Sequence, residues 1–163
     1  MARTFYAIAL GSNRRSRHGA PAETLRAALA GLGAGVGDVC AVSAIRNTPA
    51  LGPAGRGFAN AVAIVESPLA PDALLDRLKQ MERAFGRRGG RRWGARVLDL
   101  DIILWSGGSW GGPGPIVPHA EFRKRAFVLQ PLAEIAPDWR DPLTGLSVRQ
   151  LLARLTRPRH AHR

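Results

Sequence analysis

Apolar and polar positions alternate along this chain in a way that predicts most of its elements. Thr4 to Leu10 is a short apolar strand that ends in the turn signal Gly11-Ser12-Asn13. Arg14 to Gly19 reads as a polar loop. From Ala20 to Ala30, opened by Pro21, apolar residues at Leu25, Ala28, Leu29 and Leu32 follow helical spacing. The glycines Gly31, Gly33 and Gly35 should stop that helix. Asp38 to Arg46 predicts a second strand of purely structural character, and Asn47 to Gly57 a Pro/Gly loop. Phe58 to Glu66 is a third strand, interrupted by Asn60. Ser67 suits the N-cap of a helix that starts at Pro68 or Pro71 and runs to Phe85. Its stripe is Leu74, Leu75, Leu78, Met81 and Phe85.

The stretch Arg91 to Trp105 then carries the strongest chemistry. Leu98, Leu100, Ile102 and Leu104 fall on one face of a strand, and Val97, Asp99, Asp101 and Ile103 on the other. Both carboxylates are thus expected on one side, about 7 Å apart at the backbone. Acids so placed repel unless a cation sits beside them. With Arg91, Arg92 and Arg96 just upstream, they suit a magnesium-bound polyphosphate. They equally suit a strand whose outer face is merely solvated, and the spacing leaves both readings open.

Beyond Trp105 come a glycine-rich loop (Gly107 to Gly114), Pro118-His119, two short helical patterns (Phe127 to Ile135, Ser147 to Leu155) and a basic tail, 156–163. The order strand, helix, two strands, helix, strand is the ferredoxin-like split pattern, an α+β antiparallel sheet with helices packed on it. One domain over residues 1–163 is expected, with its core in about 4–155 and no internal repeat.

Composition adds bounds. At 163 residues, 45% apolar and 22% charged, the chain is long enough for one real core. No apolar run nears the ~18 residues that cross a membrane. Phe5 to Leu10 leads into a turn and not a cleavage site, so it reads as a strand and no signal peptide. Cys40 is the only cysteine, which excludes an internal disulfide and fits the cytoplasm. The net charge of +12 is nearly all arginine. It fits an anionic partner, or a compositional preference for arginine on an ordinary surface. A nucleic-acid-binding module of this fold needs exposed aromatics on adjacent strands in the ribonucleoprotein pattern; they are absent, so no nucleic-acid partner is expected. Taken singly, Asn60 is a core amide or a recognition group, His119 a cap, a packing residue or a ligand contact, Phe58 and Phe127 core aromatics, and Glu82 a solvated helix residue.

Read together, the motifs change those odds. Arg92-Trp93-Gly94-x-Arg96-x-Leu98-Asp99-Leu100-Asp101-Ile102 resembles the signature of the 6-hydroxymethyl-7,8-dihydropterin pyrophosphokinase family. Ala9-Leu10-Gly11-Ser12-Asn13, Thr48-Pro49-Ala50-Leu51-Gly52-Pro53, Phe58-x-Asn60-Ala61, Val117-Pro118-His119, Arg125-x-Phe127 and Pro131-Leu132-x-Glu134-Ile135-Ala136-Pro137 follow in the family's order. The resemblance implies a ferredoxin-like fold and transfer of pyrophosphate from ATP to a pterin alcohol in folate biosynthesis. It implies two magnesium ions on Asp99 and Asp101, with ATP as co-substrate. Phe58 and Phe127 would sandwich the pterin, Asn60 would read its amide edge, and Thr48, Ala50, Leu51 and Trp93 would complete that site. Glu82, Arg87, Trp93, Arg96, Ile102, His119 and Arg125 would contact the nucleotide. Arg87, Arg88 and Arg96 would join the two acids in catalysis, the first two from a mobile loop. A monomer is expected. Departures from the family pattern are Ala95 in place of proline, Ile116 in place of a hydroxyl residue, a slightly short stretch between Glu82 and Trp93, and a Gly107–Gly114 loop without a basic residue.

Overall fold

The computed structural model describes residues 2–48, 57–86 and 97–158. Its elements are β1 (Thr4–Ser12), α1 (Pro21–Gly35), β2 (Asp38–Val42), β3 (Arg46–Thr48), β4 (Phe58–Ser67), α2 (Pro71–Ala84), β5 (Asp99–Trp105), α3 (Ala126–Ile135) and α4 (Val148–Thr156). The sheet is antiparallel in the order β2-β4-β1-β5, with β3 also paired to β4. This is the ferredoxin-like arrangement expected from the element order.

Alternation along the strands divides the core in two. Tyr6, Ile8, Leu10, Ala59, Ala61, Leu98, Leu100 and Ile102 meet Leu25, Ala28 and Leu32 of α1 and Leu74 and Leu78 of α2. On the opposite face Ala7, Val62, Ile64 and Ile103 meet Val128, Leu129 and Leu132 of α3 and Val148 and Leu151 of α4. The C-terminal helices therefore make a third layer, and they cover only part of their face of the sheet.

Several local expectations need correction. β1 does not turn at Gly11-Ser12: both residues stay in the ladder, opposite Asn60 and Ala59. The glycines do not stop α1, which runs through Gly31 and Gly33 to Gly35. Burial of Leu25, Ala28 and Leu32 outweighs a helix-propensity cost of about 1 kcal/mol per glycine. Gly31 also serves packing, since a Cβ there would stand 2.9 Å from Cε of Met81 on α2. The single strand expected over 38–46 is broken at Ser43–Ile45 into β2 and β3. Ser67 is no N-cap. It ends β4, donates from Oγ to the Val36 carbonyl (2.8 Å) and accepts from the Leu69 N–H, while Ala70 precedes the helix.

β5 departs from regular alternation too. Ala7 pairs with Leu104 but Ile8 pairs with Ile102, so Ile103 is an extra residue, a β-bulge. Past it the faces exchange, and Leu104 joins the α3/α4 core instead of the face shared by Leu98, Leu100 and Ile102.

The segment leading into α3 is fixed by a buried ion pair. Asp141, fully buried, accepts from Nε and Nη2 of Arg123 at 2.6 and 2.7 Å, and also from Thr144 Oγ1 and the Leu143 N–H. Burial alone would raise its pKa. The guanidinium and the other donors together hold it below the ordinary carboxylate value. Removing one member of such a pair strands the other, so Asp141→Ala is expected to cost about 3–5 kcal/mol, read from urea unfolding. Asp138→Ala, which breaks the exposed pair with Arg149, should leave the urea midpoint unchanged.

Candidate active site

A cleft of about 670 Å³ opens on the sheet face that α3 and α4 leave uncovered. Its floor is β1, where Ala9 and Gly11 put little side chain above the sheet. Gly11 sits between Asn60 on β4 and Asp99 on β5. A Cβ on Gly11 would lie 3.3 Å from Asn60 Oδ1, so the glycine keeps the amide accessible. β4 supplies Phe58 and Asn60, and β3 supplies Thr48. β5 supplies Asp99 and Asp101, and the start of α3 supplies Arg125 and Phe127.

Seven of the expected site residues thus line one cavity. Asp99 and Asp101 share a face, as the period of 2 requires, and both are partly exposed. Asn60 is partly exposed as well, which removes its reading as a sealed core amide. Phe58 and Phe127 are not core residues: they are 45% and 47% exposed. The Arg125 guanidinium lies 5.7 Å from the Phe127 ring centroid, which ties the base to the aromatic wall.

His119 is brought up by the bulge. The Ile103 carbonyl, freed there, accepts the His119 N–H at 3.0 Å. The His119 Nδ1 accepts the Glu121 N–H at 3.1 Å, so a neutral ring carries its proton on Nε2. The imidazole pKa is pushed below its ordinary 6.5, first because burial disfavours the charged ring. Asp101 opposes that shift, Arg125 reinforces it and Glu121 opposes it.

Glu82 lies elsewhere. It is 1% exposed, on the α2 side of the sheet, and not a solvated helix residue. Its Oε2 accepts the Leu100 N–H at 2.9 Å and its Oε1 accepts from Lys79 at 3.1 Å. The carboxylate thereby satisfies a backbone donor on the outer edge of β5, between Asp99 and Asp101. The Ile102 side chain is also in the helix-side core, so a nucleotide contact there would fall to its backbone. Ala50, Leu51, Arg87, Arg88, Trp93 and Arg96 lie outside the described residues. Ala9, Gly11 and Asn13 also line the cleft; the sequence marked them only as part of the Ala9–Asn13 motif, without a role. A further signal was three small residues, Ala7, Ala9 and Gly11, on one strand face.

Fold and cleft together define a ferredoxin-like α+β sandwich with an aromatic-walled small-molecule site whose polar groups flank a bare floor. The family model for 7,8-dihydro-6-hydroxymethylpterin-pyrophosphokinase matches residues 7–137, and the chain belongs to that family. It is 42% identical over 118 residues to the 2-amino-4-hydroxy-6-hydroxymethyldihydropteridine pyrophosphokinase of Methylorubrum extorquens, covering 72% of this chain and 73% of the relative. Against the enzyme of the same name from Pseudomonas aeruginosa, identity is 46% over 114 residues, covering 69% and 70%. Among solved structures, Plasmodium falciparum HPPK-DHPS wild type superposes with a TM-score of 0.73 at 12% identity. That match covers 94% of this chain and 45% of the solved one, so this chain spans under half of that protein.

The His119 environment predicts a pH dependence. The unfolded ring takes up its proton near 6.5 and the folded ring only at lower pH. Stability contributed by the neutral ring is therefore full above that value and lost as the pH falls through it. His119→Gln, whose amide oxygen can still accept from Glu121, should flatten the fall in melting temperature between about pH 7 and about pH 5. An unchanged slope would exclude this ring as the titrating group.

Proposed function

We propose that this chain transfers a pyrophosphoryl group from ATP to the hydroxymethyl oxygen of 6-hydroxymethyl-7,8-dihydropterin, releasing AMP, as a monomer in the cytoplasm. The observation that carries this reading is the meeting of Phe58, Asn60 and Phe127 with Asp99 and Asp101 in one cleft. A flat ring between Phe58 and Phe127 covers two half-exposed aromatic faces in offset stacks. Asn60 offers both a donor and an acceptor, which suits the amide edge of a pterin. Thr48 lines the same cleft, and Ala50 and Leu51, two and three residues further along the chain, would contribute to that side.

The donor set on β5 fits magnesium. Two carboxylates offer hard oxygen ligands, and among the described residues no third His, Cys, Asp or Glu completes a cage. Phosphate oxygens and water must supply the remaining ligands, which is the usual manner of magnesium in nucleotide sites. Two such ions held by Asp99 and Asp101 would neutralise charge on the transferring phosphates. The chain's own residues do the rest. Arg125 and the Nε2–H of His119 can bind nucleotide oxygens beside Asp101. Arg87, Arg88 and Arg96 supply permanent positive charge from the segment that enters β5, and Trp93 an aromatic surface. Glu82 holds the strand from behind. With the ring clamped, the hydroxymethyl oxygen attacks the β-phosphorus in line. The bond to the α-phosphate oxygen breaks, and the hydroxyl proton is released. Positioning and electrostatics carry the rate.

Product analysis tests this directly. The purified chain should release AMP from ATP only when both the pterin alcohol and magnesium are present. ADP as the product, or ATP turnover independent of the pterin, would sink the reading. Asp99→Ala or Asp101→Ala should abolish turnover in a protein that still folds.

Asn60→Ala should weaken pterin binding by about 1–3 kcal/mol, because a buried ligand group loses its partner. ATP affinity should barely move. Calorimetry with the reverse pattern would displace Asn60 from this role. Arg87→Ala should lower kcat by roughly 10²–10³ with little change in ATP affinity, as loss of one preorganised donor does. Single-turnover kinetics showing an unchanged chemical step would make Arg87 a binding residue only.

A further inference from the structure

The pterin wall formed by β3 rests on very little pairing of its own. β3 has three residues, all exposed, opposite Asn60, Ala59 and Phe58. Upstream, Val42 pairs with Ala63, and Arg46 with Asn60. Three residues, Ser43, Ala44 and Ile45, therefore stand opposite two, Ala61 and Val62. Such an excess leaves a backbone group out of the ladder.

The break is held by side chains. The Ser43 N–H donates to the Val62 carbonyl (2.9 Å), the Val62 N–H donates to Ser43 Oγ (2.9 Å), and that hydroxyl donates on to the Ala44 carbonyl (3.0 Å). The surplus N–H is that of Ala44, and it donates to Glu134 Oε1 at 3.2 Å. Glu134 Oε2 also lies 3.5 Å from the Arg46 guanidinium, the first residue of β3. Glu134 is in the last turn of α3, seven residues after Phe127. That spacing is about two helical turns, so one side of α3 presents Phe127 at one end and Glu134 at the other.

One helix therefore carries an aromatic wall of the cleft and the acceptor that fixes the opposite wall. A slip of one residue in β3 would exchange the directions of Asn47 and Thr48. Nothing in the three exposed side chains of β3 resists such a slip through burial. We propose that Glu134 is a positioning residue for the pterin site. By accepting the Ala44 N–H it sets the register of β3 against Phe58 and Asn60, and fixes the spacing from Phe127 to Thr48. This rests on the assignment of the cleft to the pterin. The ion pair with Arg46 is an accessory, since both partners are well exposed.

Steady-state kinetics on the full chain, with amide hydrogen exchange, separates the possibilities. Glu134→Ala should raise KM for the pterin by roughly 10-fold while kcat and the KM for ATP stay within about 2-fold, as expected when ground-state binding alone is affected. Exchange at Ala44, Asn47 and Thr48 should quicken in the same variant. Glu134→Gln, which keeps an oxygen acceptor for Ala44 without the charge, should restore both readouts, and Arg46→Ala should change neither. Failure of the glutamine to rescue, or an equal rise in both KM values for Glu134→Ala, would overturn the proposal. Phe127→Ala, measured alongside, tells the two levels apart. Weakened pterin binding in Phe127→Ala with parental values in Glu134→Ala overturns the positioning role and leaves the cleft assignment standing. Parental pterin binding in both variants overturns the cleft assignment and this role together.

Discussion

Everything at the site depends on β5 being buried on one face and charged on the other. Leu98, Leu100 and Ile102 anchor the strand in the core beneath α1 and α2, and the period of 2 then leaves Asp99 and Asp101 no direction but the cleft. Two carboxylates on one strand face repel, and a flexible segment would relax by turning one of them away. Three buried side chains of substantial size, each worth about 1.5–3 kcal/mol in transfer energy, forbid that relaxation. The acids are held together by hydrophobic force acting on their neighbours.

The same strand is at the edge of the sheet, so its outward backbone groups have no neighbouring strand to pair with among the described residues. Among the described residues, two of them find partners. The Leu100 N–H goes to Glu82, and the Ile103 carbonyl, exposed by the bulge, takes the His119 N–H. Edge strands invite unwanted pairing, and covering them is an ordinary requirement of β structure. Here the covering groups also bring a candidate site residue with them, since the segment that caps Ile103 delivers His119 close enough to Asp101 for that carboxylate to favour the ring's protonated form. The bulge costs regular pairing but turns the chain so that Leu104 fills the second core instead of crowding the first.

Much of this was legible from sequence because periodicity and burial agree wherever a strand is two-faced. The element order, the shared face of Asp99 and Asp101, and the strand through Asn60 are cases of that agreement. The motif resemblance, and not periodicity, turned Phe58 and Phe127 from core residues into site candidates, since an exposed aromatic and a buried one look alike in a string of letters. What stayed hidden depended on partners distant in sequence. Gly31 and Gly33 read as breakers because the pressure of Met81 and the buried face of α1 are tertiary facts. Glu82 read as solvated because its acceptor role is set by an N–H eighteen residues away. Ile103 gave no sign of a bulge, for an apolar residue fits the strand pattern on either face.

The cleft also sets a limit on stability. Phe58 and Phe127 are nearly half exposed, Gly11 contributes no side chain, and α3 and α4 stop short of covering the sheet beside them. A sequence selected for stability alone would close that face with a larger residue at Gly11 and a longer helix above it. An open aromatic wall beside two like charges is instead the signature of a surface completed by its ligands, and sites of this kind carry a stability cost that is tolerated for function. A ligand that binds only the folded chain returns stability in proportion to the logarithm of its concentration over its Kd. A planar ring between the aromatics and a cation complex at the acids act on different deficits, the first on exposed apolar surface and the second on charge repulsion. Their stabilising effects should therefore differ in salt dependence. The acid-centred part is weakened by screening at high ionic strength, and the ring-centred part, which buries apolar surface, is not.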